Sequence, residues 1–252
     1  MLILLSPAKT LDYSIDSKSN HTAPQFLNQS SKLIKILRQK EQKDIASLMG
    51  LSDKLASLNF DRYQSWKASK TLSDDAKPSV LVFKGDVYQG LSADTFNTKQ
   101  LKFSQKHLRI LSGLYGILKP MDLIKPYRLE MGTKLVTDKG KNLYEFWRKK
   151  ITSALNDELK DGEFLLNLAS VEYFKAIDKK VLKAPVINAV FKNFKNGEYK
   201  TIAIFAKIAR GLMARYVIDS NANHINDIKG FNYGGYGFSE TMSTDTDLVF
   251  TR

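Results

Sequence analysis

The sequence predicts an α+β fold: a single domain over residues 1–252, with a mixed sheet flanked by helices. Three observations carry that expectation. Short continuous apolar runs of strand length recur (MLILL, SVLVF, EFLLNL), as buried strands require. Between them lie segments whose apolar residues repeat every three or four positions, the spacing of one helix face. No internal repeat or long linker divides the chain, and 252 residues fit one large domain.

Taken in order, MLILL reads as a buried strand ended by Ser6 and Pro7. Residues 12–24 are polar, with Pro24 closing a loop. Phe26, Leu27, Leu33, Ile34 and Leu37 predict a helix over 26–37, and Leu48, Leu51, Leu55 and Leu58 predict another over 45–58. SVLVF, 79–83, reads as a strand followed by the polar turn Lys84-Gly85-Asp86. Leu143, Trp147, Ile151 and Leu155 place a helix at spacing four. EFLLNL, 163–168, is a further strand, and Ala169 to Lys175 begins a helix. A strand over 185–194 meets the hairpin signal Asn196-Gly197. YKTIAIF, 199–205, then reads as a strand leading to a helix over 207–217. The tail is glycine-rich around 233–238 and ends in an apolar LVF.

Residues 108–132, LRILSGLYGILKPMDLIKPYRLEMG, mix residue types more densely than an ordinary core element. Gly113 and Gly116 permit unusual backbone angles or close approach. Pro120 and Pro126 each remove a donor and disfavour helix at the residue before. The stretch reads as a short element, a tight turn and a second element ending in Tyr127, Arg128 and Glu130.

Charge sets the next constraint. A net charge of +13 favours a polyanionic partner. Between Val171 and Tyr216 ten Lys or Arg face three acids, so that segment alone carries +7 of the total. Lys207 and Arg210 fall on one helical face and form a stripe able to grip phosphates. The alternative is an ordinary solvated face. With no cysteine, disulfides, thiolate metal sites, iron–sulfur clusters and thiol peroxidase chemistry are excluded. No leader-like or membrane-spanning apolar run is evident, so a cytoplasmic location is expected.

Polar residues gather at the predicted strand ends: Ser6 and Lys9, then Lys84, Asp86 and Tyr88, then Asn167, Ser170, Glu172 and Tyr173, then Lys207 and Arg210. Strand-to-helix junctions are where open sheets place ligand-binding groups. With Arg128 and Glu130 these residues suggest one shared polar cleft, against the alternative of unrelated caps and surface pairs.

Several segments together resemble the YaaA family of peroxide-stress proteins: SPAKT (6–10), SDKLA (52–56), FKGDVYQGL (83–91), the 108–132 stretch and NLASVEYFK (167–175). AKIARGLMARY (206–216), GFNYGGYGF (230–238) and LVFTR (248–252) complete the set. The resemblance implies a cytoplasmic protein that limits hydrogen peroxide damage and keeps unincorporated iron low. It also implies DNA binding through a helix-hairpin-helix element in a basic cleft. Gly113-Leu114-Tyr115-Gly116 would be the hairpin, although such hairpins usually carry one apolar residue between the glycines and this one carries two. Leu108 to Leu111 reads equally as a strand entering a turn. On the DNA reading, duplex or branched DNA would be held through phosphates by Lys9, Lys84, Gly113, Gly116, Lys119, Arg128, Lys207 and Arg210.

The rival reading is an enzyme acting on a small anionic substrate, a nucleotide or carboxylate metabolite. Lys9, Lys84, Asp86, Arg128, Glu130 and Asn167 would then carry the chemistry, combining anion-binding groups with acids and bases. No metal site and no cofactor are expected: His21, His107 and His224 are far apart, no Glu is followed three residues later by His, and no phosphate-binding glycine motif occurs.

Overall fold

Five parallel strands form the centre of the molecule, in a computed structural model that describes residues 1–15 and 21–252. Numbered in chain order, the strands of the main sheet are β1 (Leu2–Leu5), β2 (Leu108–Ser112), β3 (Gly116–Leu118), β4 (Leu165–Asn167), β5 (Val186–Lys195), β6 (Glu198–Lys200), β7 (Gly237–Phe238) and β8 (Asp247–Thr251). Spatially the order is β7-β8-β5-β4-β1-β2-β3, with β6 paired to β5. The run β8-β5-β4-β1-β2 is parallel, while β3, β6 and β7 pair antiparallel. The sheet is therefore mixed, and helices flank it, as the α+β expectation requires.

The central position of β1 explains its composition. A strand covered on both faces has no solvated side, so Leu2, Ile3, Leu4 and Leu5 are all buried. The Leu27–Arg38 helix turns Leu33, Ile34 and Leu37 to the core, and the Leu143–Glu158 helix does so with Trp147, Ile151 and Leu155. The strand over 186–195 and its Asn196-Gly197 turn form as expected, both turn residues having positive φ.

Four local expectations are corrected. The helix expected over 45–58 is two helices, Gln42–Met49 and Asp53–Ser65, because Gly50 enters the left-handed region at φ 60° and ends the first. SVLVF is not a strand: Ser79–Val82 form a helical turn, and only Phe83–Lys84 is extended. The Ser79 and Val80 amides donate to Asp122 and Pro120 carbonyls at 2.9 and 3.0 Å, so this backbone is satisfied by a loop. Beyond β6 the chain is already helical from Ala203, and the helix runs to Ser220. β6 pairs only with β5, and Thr201 Oγ1 donates to the Phe191 carbonyl at 3.2 Å, tying the turn before the helix to β5.

The fourth correction concerns the helix-hairpin-helix. Residues 108–118 are a β-hairpin, with Ile110 opposite Leu118 and Ser112 opposite Gly116. β2 pairs with β1 and is wholly buried, so a surface helix is not available to it. Its glycines serve packing. A Cβ on Gly113 would lie 2.2 Å from the Leu129 carbonyl, and one on Gly116 (φ +75°) 2.7 Å from the Trp147 ring. Part of the loop expected over 12–24, residues 16–20, lies outside the described residues. Among the described residues no helix is long and apolar enough to cross a membrane.

Candidate functional site

The register sets the carboxyl ends of β1 and β4 level with the first residues of β5 and β8. Leu4 stands opposite Asn167 on β4, Asn167 opposite Asn188 on β5, and Asn188 opposite Asp247 on β8. Chain leaving β1 and β4 builds a cleft, as the carboxyl ends of strands in open sheets generally do. Ser6 to Thr10 leaves β1, and Thr10 pairs with Lys84, which fixes Lys9 beside the Lys84-Gly85-Asp86 turn. Gly85 has φ 143°, a conformation that only glycine adopts without strain, and it opens the Asp86–Leu91 helix.

That short helix lies against the Ala203–Ser220 helix at a crossing made by two glycines. A Cβ on Gly211 would fall 1.9 Å from the Val87 carbonyl, and one on Gly90 2.3 Å from the Ile208 carbonyl. Backbone touching backbone brings Asp86 and Tyr88 against Lys207 and Arg210, with Asp86 Oδ2 3.5 Å from Lys207 Nζ. On the far wall Glu130 is held from two sides. Lys9 Nζ lies 3.0 Å from its Oε2, and Arg128 Nη2 and Nε donate to its Oε1 at 3.1 and 3.3 Å.

The floor is a polar seam between β1 and the segment after β4. The Ser170 amide donates to Ser6 Oγ at 2.9 Å, Ser6 Oγ donates to Ser170 Oγ at 3.3 Å, and Tyr88 Oη donates to the Ser6 carbonyl at 3.0 Å. Glu172 accepts from the Gly132 amide at 2.9 Å. Burial pushes the Tyr88 and Tyr173 phenols well above their ordinary pKa, for Tyr173 with help from Tyr127, Glu172 and Glu130. Both phenols therefore remain protonated donors at neutral pH.

These groups line a cavity of about 310 Å³. Its cations are Lys9, Lys84, Lys207 and Arg210, and its acids are Asp86, Glu130 and Glu172. Two of the four cations stand out. Lys84 and Arg210 have no ion-pair partner among the described residues, and burial pulls the Arg210 guanidinium below its usual range with no carboxylate to offset it. A half-buried cation without a counter-charge is poised for an anion from solution. Among the described residues no group of three or more His, Asp or Glu could hold a metal ion.

Of the residues singled out from the sequence, Lys9, Lys84, Asp86, Glu130, Lys207 and Arg210 share this cavity. Arg128 stands behind Glu130 and holds it without lining the space. Asn167 faces a neighbouring cavity, which also reaches Arg210. Gly113 and Gly116 are buried in the hairpin, so the close phosphate approach expected of them is corrected to internal packing. Lys119 follows β3, which runs antiparallel to β2, and so sits at the other end of the sheet beside Asp122 and Glu158. Reasoning from sequence missed Gly90 and Gly211. The signal was available, since a glycine inside a helical pattern marks a close contact. Asn188 and Asp247 were missed because one polar residue in or before an apolar strand looks like ordinary punctuation.

Fold and site together define a class: a mixed-sheet α+β protein with a small cleft at the strand carboxyl ends, rich in ionisable groups and with cations left free. Comparison with known proteins gives the family. Residues 1–242 match the family model described as Peroxide stress protein YaaA. A UPF0246 protein of Flavobacterium johnsoniae is 50% identical over 253 residues, spanning all of both chains. One from Shewanella oneidensis is 51% identical over 256 residues, covering all of this chain and 99% of the relative. One from Saccharophagus degradans is 50% identical over 255 residues with the same coverage. The chain belongs to the YaaA peroxide stress protein family.

Proposed function

We propose that this chain serves the response to hydrogen peroxide by binding, and acting on, a small anionic molecule in the cleft. One observation carries the reading. Seven charged residues, drawn from five separate segments of the chain, converge on a cavity of about 310 Å³, within the roughly 300–1,000 Å³ of small-molecule sites. A surface meant for duplex DNA needs the cations but has little use for Asp86 and Glu130 beside them. Arg210 and Lys84 would take the anion, Tyr88 would back the floor, and Asp86 and Glu130 would be the groups able to accept or return a proton. Thermal-shift screening with nucleoside phosphates and with di- and tricarboxylates tests this. Stabilisation by an anionic compound, lost in Arg210→Ala, is the expected result. No stabilisation by either class would overturn it.

DNA is the second reading, favoured by the net charge of +13 and by Lys9 and Lys207 standing exposed at the cleft mouth. Duplex or branched DNA would lie across that mouth and be held through phosphates. Mobility shifts over a salt series decide it, because phosphate-dominated binding must weaken steeply with salt. Binding that ignores salt, or that survives Lys9→Ala with Lys207→Ala, removes DNA from this face. Any limitation of iron-dependent damage is indirect on either reading, within a cytoplasmic setting. Anaerobic Fe²⁺ titration should leave far less than one equivalent bound after gel filtration.

A further inference from the structure

Beside the first cavity lies another, of about 620 Å³, and Arg210 lines both. Its polar wall is the row Asn167, Asn188 and Asp247, in register across the adjacent parallel strands β4, β5 and β8. These three form a hydrogen-bond chain of fixed direction. The Ala169 amide donates to Asn167 Oδ1 at 3.0 Å, Asn167 Nδ2 donates to Asn188 Oδ1 at 2.9 Å, and Asn188 Nδ2 donates to Asp247 Oδ1 at 2.7 Å. A backbone N–H can only donate and a carboxylate can only accept, so the two ends settle how both amides are turned. Each amide oxygen already accepts one hydrogen bond. Among the described residues, the atoms left wholly unengaged are one N–H on each asparagine and, next to Asn188, Asp247 Oδ2. Ala169, Phe174 and Ala189 supply apolar wall around this donor–acceptor edge.

We propose that this cavity is the second compartment of one ligand site. It receives an uncharged planar group that presents an N–H beside an acceptor, while the ligand's anionic group sits on Arg210. The Asp247 carboxylate rejects an anion on its own side, which orients the ligand: charge towards Arg210 and Lys84, the hydrogen-bonding edge towards Asn188 and Asp247. A nucleoside monophosphate has this division of chemistry, with phosphate at one end and a base edge at the other. The inference rests on Arg210 being the anion site of the proposed function.

Titration calorimetry with GMP, UMP and AMP against ribose 5-phosphate, which has the anion without the base, tests it. At least one nucleotide should bind about tenfold or more tighter than ribose 5-phosphate, as one or two satisfied hydrogen bonds would give. Asp247→Asn keeps an oxygen for Asn188 but turns the free acceptor into a donor, so it should abolish that advantage. Circular dichroism on the same variant confirms its fold, and Asn188→Ser offers a second route should it fail. Equal binding of nucleotides and ribose 5-phosphate, or an advantage that survives Asp247→Asn, overturns the second compartment while leaving the anion site standing. If no anionic probe binds, both fall together.

Discussion

Arg109 and Arg210 are both substantially buried arginines, one towards each end of the parallel strands, and their surroundings differ completely. Arg109 donates to Glu158 from Nε at 2.8 Å and again from Nη2, and to the carbonyls of Gln105, Lys106 and Leu108. Nearby, the N-terminal ammonium meets Glu163 at 2.6 Å and His107 Nδ1 donates to the Met1 carbonyl at 2.9 Å. Arg210 has burial without a hydrogen-bond or ion-pair partner among the described residues. Buried ionisable groups that are satisfied from within, as Arg109, His107 and the ammonium are, serve structure, because nothing of them is left over to meet a ligand. An end that holds a cation without a counter-charge carries a cost in the unliganded protein, and a bound anion would offset it.

The largest effect should come from breaking the satisfied end. Glu158→Ala leaves Arg109 buried without its carboxylate, which typically costs 3–5 kcal/mol. The three backbone carbonyls remain, so about 3 kcal/mol is expected, or roughly 6–12 °C in Tm at this size. Anion affinity of the folded protein should be untouched. A Tm change under about 2 °C in thermal denaturation would show that this end is not secured as argued.

The glycine crossing joins stability to the site, and so blurs the comparison when broken. Gly211→Ala places a Cβ 1.9 Å from the Val87 carbonyl, where neither backbone can yield without the helices moving apart. Overpacking of this kind costs about 2 kcal/mol. Separation of Asp86 and Tyr88 from Lys207 and Arg210 should also weaken anion binding about tenfold in the fraction that folds. Retained affinity at lowered Tm would mean that the crossing is structural alone.

How much of this was legible beforehand follows from the range of each signal. β1 and the 143–158 helix are dictated by local pattern, and both form. SVLVF failed because an apolar run describes burial, and burial serves a helical turn as well as a strand when Asp122 and Pro120 supply acceptors. The hairpin at 108–118 failed as a helical motif for a tertiary reason: its partner, β1, lies about a hundred residues away. Ser6, Lys9, Ser170 and Glu172 were readable because they follow strands that form. Lys84 and Asp86 instead reach the cleft from the turn after a helical segment, and Lys207 and Arg210 from within a helix, not from the strand ends expected of them. The unpaired state of Arg210 was not, since it depends on what other segments fail to bring near. Its neighbour Lys207, three residues earlier on the same face, does find Asp86.

Arg210→Ala tests the open end directly. With no hydrogen bond or ion pair to lose among the described residues, the variant should match the parent stability within about 0.5 kcal/mol or exceed it. Anion binding should fall tenfold or more, the loss of a charge-assisted contact. Together with Glu158→Ala this gives a crossed pattern, stability without binding at one end and binding without stability at the other. A large Tm loss in Arg210→Ala would erase the distinction.

The smallest effect belongs to pH and again separates the ends. His107 stacks on Phe103 with ring centroids 4.3 Å apart, and burial is the main cause of its lowered pKa. The bond to the Met1 carbonyl opposes that shift, the N-terminal ammonium and Lys106 add to it, and Glu163 opposes it. The unfolded chain, with an ordinary imidazole near pH 6.5, therefore takes up a proton more readily than the folded one. Neutral His107 contributes stability that is fully present above about pH 6.5 and is lost as pH falls through the lower folded value. Paired carboxylates such as Glu163 lose theirs only further down, since their pKa is lowered from an already acidic value. Thermal melts should thus show Tm falling from pH 7.5 to 5.5, and His107→Asn, which can still donate to the Met1 carbonyl, should flatten that fall. Arg210→Ala should leave the slope unchanged, because its guanidinium does not titrate in this window. A slope that His107→Asn fails to reduce would place the acid sensitivity outside the satisfied end.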